Sequence, residues 1–528
     1  MRDPLRDPLA PYDAVLLLSY GGPQGPDDVL PFMRNATAGR GVPDSRLLEV
    51  SGHYGRFNGV SPINARNAEL LEALRTELAA RGSCLPVAIG NRNWHPFVSE
   101  ALRALADGGA RRVLAITTSA YASYSGCRQY REDVAGALVL LAEGADGATG
   151  RGAEADAAAR VGGAGGAPVG LVVDKTRPFY NTEGMLRANV DAIAEAYGRL
   201  VGRGVAPEGI RLVLVTHSVP ESMERLSSPG PGEVRDGGPG RAGAGGVPEG
   251  AAHPGDDAGG RPGNPSGSAG GSADCPRRAG CADGDRGRSA RTARPVPPPE
   301  PGVAADLSTE ISYVEQHRRL IEVLLPALTD RLGLEGAPDH DLVFCSRSGP
   351  PQARWLEPDV NDHLEALVAG RLTDGAPVAA PAGVVVAPIG FVADHMEVVF
   401  DLDTEAADTA ARLGLPYVRA ATAGTHPALV SSLADILAER AAAARGEKTR
   451  PASTTGTGPF HTVCPPQCCR TETRSARGHG TGGSGAGGHP VPGARSAHGI
   501  SPTAKSLPSA PVRPHTAHDT ALADEGSL

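Results

Sequence analysis

Three carboxylates, Glu397, Asp401 and Glu405, are spaced four residues apart, which in an α-helix places them on one face. Like charges at that spacing weaken a helix by about 0.2–0.5 kcal/mol per pair. A bound divalent cation reverses the sign, because carboxylate oxygens suit hard or borderline ions. The same ladder also fits a solvated acidic face near a helix N-terminus, where the helix dipole favours negative charge. His217, in LVLVTHSVP, is a lone imidazole that can take a proton near neutral pH or ligate a metal. Taken alone, it fits a buried structural or capping histidine at least as well. A third group is HTVCPPQCCR, with Cys464, Cys468 and Cys469 close together. Thiols so placed are metal ligands or oxidation-prone, and C-x3-C-C lacks the paired spacing of common zinc sites.

These groups need elements to position them. AVLLLSY (14–20), LPVAIGN (85–91), RRVLAITTS (111–119), GIRLVLVTHS (209–218), DLVFCS (341–346) and GVVVAPIG (383–390) read as strands, separated by amphipathic helical patterns such as ARNAELLEALRTELAARG. Near-continuous apolar strands alternating with helices indicate parallel sheets covered on both faces. The fold class is therefore α/β, and two doubly wound units fit the length. In such sheets ligands bind beyond the carboxyl ends of the strands. Several strand ends carry polar or aromatic groups: Tyr20 with Gly21, Asn91 through His95, His217, and Asp394 with His395 and Glu397. Together they point to one shared crevice.

Other classes are disfavoured. GGPQGPDD after the first strand lacks the dinucleotide-binding glycine pattern, Pro23 and Pro26 remove amides that would bind phosphate, and no phosphate-cradling P-loop sequence occurs. A net charge of −9 argues against a nucleic-acid-binding module. The chain shows no apolar run long enough to span a membrane and no secretory leader pattern, so it is expected to be cytoplasmic, with its eight cysteines as metal ligands or buried thiols. Cys84 and Cys345 read as buried thiols. Gly- and Pro-rich stretches at about 142–166 and 228–304, and a tail over 446–528, lack the apolar content to fold. The expected organisation is an N-terminal half over 12–170, a C-terminal half over 171–445, and that tail.

The motifs LLLSYGGP, NGVSPIN, VTHSVP, WLEPDV and PIGFVADHMEVVFDLDTE, in this order, resemble the ferrochelatases, and SGCRQYRED, SRSGPPQ and the Cys-rich tail resemble their actinobacterial branch. The resemblance spans nearly all of the chain outside the inserts. It implies two Rossmann-like halves with a porphyrin cleft between them, and a monomeric lyase inserting ferrous iron, its substrate, into coproporphyrin III. Protoporphyrin IX is the alternative substrate; another tetrapyrrole chelatase and a non-catalytic haem or iron–sulfur carrier are the more distant readings. It further implies that His217 and Glu397, facing each other across the cleft, hold iron and take the pyrrole protons. Asp401 and Glu405 would pass metal inward, Tyr20 would lie beside the porphyrin face, and Ser61, Tyr130 and Arg40 would meet its carboxylates. His53 stands where relatives often carry arginine. Relatives with a [2Fe–2S] cluster take three ligands from such a tail and one from the body. Cys464, Cys468 and Cys469 would then be joined by Cys281, with Cys275 and Cys127 as other choices, for structure or for iron or redox sensing.

Overall fold

The computed structural model describes residues 7–38, 42–143, 170–227, 311–347, 353–456, 460–464 and 468–469. Residues 144–166 and 228–304 of the expected inserts lie outside these, as do Arg40, Cys275 and Cys281. The described residues all belong to one compact unit, Met1–Thr473.

Eight strands form two separate four-stranded sheets. The first contains β1 (Ala14–Ser19), β2 (Val87–Asn91), β3 (Arg112–Thr117) and β4 (Val172–Lys175) in the order β2-β1-β3-β4. The second contains β5 (Ile210–His217), β6 (His340–Cys345), β7 (Gly383–Ala387) and β8 (Tyr417–Arg419) in the order β6-β5-β7-β8. Every pairing between these strands is parallel. Both sheets follow one plan, with the first strand between the second and third. The order therefore reverses beside β1 in one sheet and beside β5 in the other, where open parallel sheets leave a crevice.

Why the strands are so apolar follows from their cover. Alternate residues of β1 face opposite layers: Val15 and Leu17 enter one core, Leu16 and Leu18 another. In the second sheet Leu212 and Leu214 pack to one side, Val213 and Val215 to the other. The helices supplying these layers are α1 (Pro26–Ala36), α2 (Asp44–Gly55), α3 (Ile63–Ala80), α4 (Val98–Asp107), α5 (Gln129–Ala142), α6 (Glu183–Val201), α7 (Glu221–Leu226), α8 (Tyr313–Leu332), α9 (Val360–Val368), α10 (Met396–Phe400), α11 (Ala407–Arg412) and α12 (Pro427–Ala444). The last of these packs on both α3 and α6, and Leu429, Leu433 and Leu437 share a core with Leu70, Leu74 and Met185. It ties the two sheet systems together. No described helix is long and apolar enough to cross a membrane.

Two expectations need correction. The boundary placed at 170/171 falls before β4, which pairs with β3 and so completes the first sheet. The strand is only four residues long and reads VVDK, too short and too polar at its end to stand out. The start of the tail, expected to be unfolded, instead lies along the body. Arg177 donates to the Ala452 carbonyl at 3.0 Å, the Thr454 amide donates to the Asn181 carbonyl at 2.9 Å, and Thr462 donates to Glu439 at 2.7 Å. Hydrogen bonds from both its backbone and its side chains to the body offset what this segment lacks in apolar surface.

Candidate active site

His217 is the last residue of β5, and the loop after β7 carries Glu397 into the first turn of α10. The two side chains meet directly, Nε2 to carboxylate oxygen at 3.3 Å. Nδ1 of His217 donates to the Ser218 carbonyl, which fixes the ring and leaves Nε2 for Glu397. Burial alone would depress the imidazole, but the Glu397 carboxylate overturns this and lifts it to about 8. Burial works against ionisation of Glu397 as well, yet His217, and His395 at 3.8 Å, hold it down at about 2. At neutral pH the pair is therefore an imidazolium and a carboxylate. This corrects the expectation that a porphyrin separates them: both come from the second sheet system and are in contact.

From Glu397 the ladder runs outward, though not along a plain α-helix. Asp401–Ala406 is a π-helical turn between α10 and α11, an irregularity common at functional sites. Asp401 is half-buried and Glu405 exposed. Burial raises Asp401 to about 7, against a hydrogen bond from Ser346 and with help from the neighbouring charges of Glu397 and Glu405. Burial, together with Asp359, also raises Glu405, opposed by His53 and Arg56. The ladder thus runs from solvent to an acid that shares a proton near neutrality, and then to a permanent carboxylate.

What lies behind His217 explains its rigidity. Thr216 Oγ1 is 2.7 Å from the Tyr313 hydroxyl and 2.8 Å from His317 Nε2, and Tyr121 stacks on the His317 ring at 3.7 Å. His317 is buried, which pushes it down to about 3 despite its bond to the Tyr313 carbonyl; it is a neutral acceptor. Gly390 passes over this group so closely that a Cβ there would fall 2.1 Å from Thr216 Oγ1. Gly390→Ala is expected to destabilise the fold by about 1–3 kcal/mol, as overpacking does, with slower turnover because the His217 strand end shifts. Urea denaturation beside an activity assay checks both effects.

The first sheet contributes the facing residues. Tyr20 follows β1, is 41% exposed, and meets Phe32 edge-on at 6.2 Å. Gly21 beside it has φ +75, a conformation that glycine adopts without strain. Tyr54 of α2 lies close enough to both Glu397 and Tyr20 that, with burial as the larger cause, their charges raise its hydroxyl. Ser61 is 5% exposed, packed behind Gly22, with its amide donating to the Pro23 carbonyl. Tyr130 is buried under the Arg92 guanidinium, 4.6 Å from its ring centroid, and Arg92 is itself paired with Asp133 at 2.6 Å. Asp394 pairs with Arg419 at 3.1 Å. Thus His217, Glu397, Asp401 and Glu405 form one chain of groups with Tyr54 and Tyr20 opposite, while Ser61 and Tyr130 are packed into the walls. Among the described residues no group of three or more His, Cys, Asp or Glu side chains is placed to hold a metal ion as it stands.

Comparison with known proteins decides the family. Residues 12–441 match the ferrochelatase family. The chain is 38% identical to the coproporphyrin III ferrochelatase of Streptomyces griseus subsp. griseus over 88% of its own length and 95% of that protein. It is 37% identical to the protein of the same name from Streptomyces coelicolor over 87% and 94%, and 31% identical to the ferrochelatase of Rhodopirellula baltica over 87% and 94%.

The chain belongs to the ferrochelatase family.

As a ferrochelatase it also carries a second concentration of reactive groups. Cys127, in the π-helical turn Tyr124–Arg128, is buried with Cys468 and Cys469, and Cys464 packs at the edge. The neighbouring Cys464 and Cys469 thiols, ahead of opposing burial, hold the Cys127 thiol well below the usual thiol range, and Cys127 in turn pushes those two up. The Cys468 and Cys469 sulfurs are 3.5 Å apart. The body cysteine that meets the tail is therefore Cys127, whereas the favoured Cys281 lies outside the described residues. Cys345 is buried as expected; Cys84 is exposed, contrary to its reading as a buried thiol. Sequence reasoning also missed Ser346, Tyr54 and the His317 network. SRSGPPQ was a motif without an assigned role, and Ser346 in it has φ +66, an uncommon conformation for serine at the residue that bonds Asp401.

Proposed function

We propose that this ferrochelatase is a lyase that inserts ferrous iron into coproporphyrin III, giving coproheme and two protons in haem biosynthesis. The observation that carries the reading is the His217–Glu397 pair at 3.3 Å at the inner end of the Glu405–Asp401 ladder. Relatives named for coproporphyrin III, of matching length, support the substrate choice. Iron entering past Glu405 displaces the proton that Asp401 shares near pH 7, since carboxylates bind metal only when ionised. A divalent ion at Glu397 then repels the imidazolium, lowers its pKa, and readies Nε2 as a base for a pyrrole proton. Because His217 and Glu397 are in contact, the macrocycle lies against the pair, with Tyr20 and Tyr54 on its other side. Arg40, Ser61 and Tyr130 remain our candidates for the peripheral carboxylates, the last two reaching them from the walls.

The test is anaerobic mixing of protein, ferrous iron and porphyrin, followed by loss of porphyrin fluorescence. Coproporphyrin III is expected to be metallated with the higher kcat/KM; a preference for protoporphyrin IX would reverse the substrate assignment, and no metallation of either would remove the enzyme reading.

We further propose that Cys127, Cys464, Cys468 and Cys469 hold a [2Fe–2S] cluster. What supports the reading is the donor chemistry: four thiols gather there, three of them buried, and cysteine thiolates are the ligands such clusters take; as they stand among the described residues they are not placed to hold a metal, so binding would draw them together. When bound, the group supplies one-electron chemistry that insertion itself does not consume, which suits a structural or sensing role. Cys127→Ser is expected to abolish the cluster's visible absorption and its sulfide content, whereas Cys281→Ser leaves both unchanged. We assign the activity to a monomer in the cytoplasm, a compartment that keeps thiols reduced.

A further inference from the structure

Residues 394–405 carry five carboxylates: Asp394, Glu397, Asp401, Asp403 and Glu405. Three form the ladder, and the other two meet one side chain, Arg419 at the end of β8. Its Nη1 donates to Asp394 at 3.1 Å, while Nε and Nη2 grip the two oxygens of Asp403 at 2.5 and 2.9 Å. The guanidinium and the Asp394 carboxylate are each only 16% exposed. Arg419 is itself held in place: the parallel register sets it beside Val386 of β7, and Arg199 of α6 donates to its carbonyl at 2.7 Å. From the same strand the Tyr417 hydroxyl donates to the Leu402 carbonyl at 2.8 Å. β8 therefore holds the π-helical turn Asp401–Ala406 at two points, a backbone carbonyl and the Asp403 side chain. Asp403 is two residues from both Asp401 and Glu405, so it does not share their face of the turn.

We propose that Arg419 is a positioning residue for the carboxylate ladder, bridging the loop that delivers Glu397 to the turn that delivers Asp401 and Glu405. This inference rests on the reading of the ladder as the path of iron. By engaging Asp394 and Asp403 the guanidinium leaves three of the five acids for the ion and takes two competing oxygen donors out of reach. By tying loop to turn it sets the spacing between the innermost carboxylate and the outer ones. A guanidinium can do both at once, because its planar fork of donors holds two carboxylates in fixed directions. A π-helical turn is rare and differs from an α-helix by one residue per hydrogen-bonded ring. Releasing Asp403 lets that turn change register, which moves Asp401 and Glu405 against Glu397.

The experiment uses full-length protein and its Asp403→Asn, Asp403→Glu, Arg419→Gln and Glu405→Gln variants in the anaerobic fluorescence assay, with ferrous iron and coproporphyrin III varied separately. Asp403→Asn is expected to raise the KM for iron about tenfold, the scale of a lost charge-assisted hydrogen bond, with the KM for coproporphyrin III at the wild-type value. Hydrogen exchange of the amides of 401–406, read by mass spectrometry, is expected to quicken by about the same factor. Asp403→Glu, which keeps a carboxylate within reach of the fork, restores both. A merely structural role would lower the active fraction without separating the two KM values. Arg419→Gln acts in the same direction, and should it fail to fold, the Asp403 variants still decide. If Glu405→Gln leaves the KM for iron unchanged, the ladder is not the path of iron and the proposal falls with that reading. If Glu405→Gln raises it and Asp403→Asn does not, the path stands and the role of Arg419 is overturned; unaltered exchange at 401–406 overturns it as well.

Discussion

His217→Ala is expected to lower kcat for iron insertion into coproporphyrin III about 10²–10⁴-fold, the range that a positioned general base contributes. The magnitude follows from geometry. Nδ1 is committed to the Ser218 carbonyl, so Nε2 is the ring's remaining proton acceptor, and Glu397, held at about 2, is too weak a base to replace it near neutral pH. Porphyrin binding, read from fluorescence anisotropy without iron, should stay near wild type, because the imidazole is one small part of a wide contact surface. A variant that loses binding and turnover equally would make His217 a wall of the cleft instead of its base. Circular dichroism separates either result from misfolding, which the Thr216–Tyr313–His317 network makes improbable by holding the strand end from behind.

Glu397→Gln is expected to act differently, by moving the pH profile as well as lowering the rate. Burial depresses His217, and it is raised above its ordinary value chiefly because the Glu397 carboxylate, with smaller help from the Ser218 carbonyl and Asp401, outweighs that burial. Once that charge is removed, burial dominates and the imidazole titrates below about 6.5. A base works only when neutral, so wild-type kcat/KM rises with pH up to about 8 and then levels. In Glu397→Gln the same limb moves to lower pH by more than one unit, while the plateau falls about 10²-fold because iron has lost its innermost carboxylate. A profile that keeps its midpoint while only its height drops would show that Glu397 binds metal without tuning His217.

Much of this was legible in the residues. The apolar runs of β1, β3, β5 and β7 leave little alternative to covered parallel strands, and the i, i+4, i+8 acids marked the second half of the site before any geometry was known. What sequence could not give was distance. The spacing of Glu397, Asp401 and Glu405 is equally compatible with an α-helix and with the π-helical turn that occurs, since the register depends on one extra residue per turn. The position of His217 at a strand end said nothing of whether Glu397 would touch it or face it across a gap; the length and path of the loop after β7 decide that. β8 is three residues long, below the length at which alternation can be recognised. The contact between the tail and Cys127 spans over three hundred residues, and nothing local in either segment marks it. Thr216 and Gly390 were visible only as parts of motifs; that they touch is a fact of packing.

The state of the imidazole tests the account most directly. Protein labelled with 13C-histidine, with the His217 resonance assigned by its absence in His217→Ala, can be titrated from pH 5 to 10 without iron. An inflection near 8 that drops below the free-histidine value in Glu397→Gln is the predicted result. A His217 that is already neutral at pH 6.5 in the wild-type protein would contradict the ion pair on which the proposed proton transfer depends.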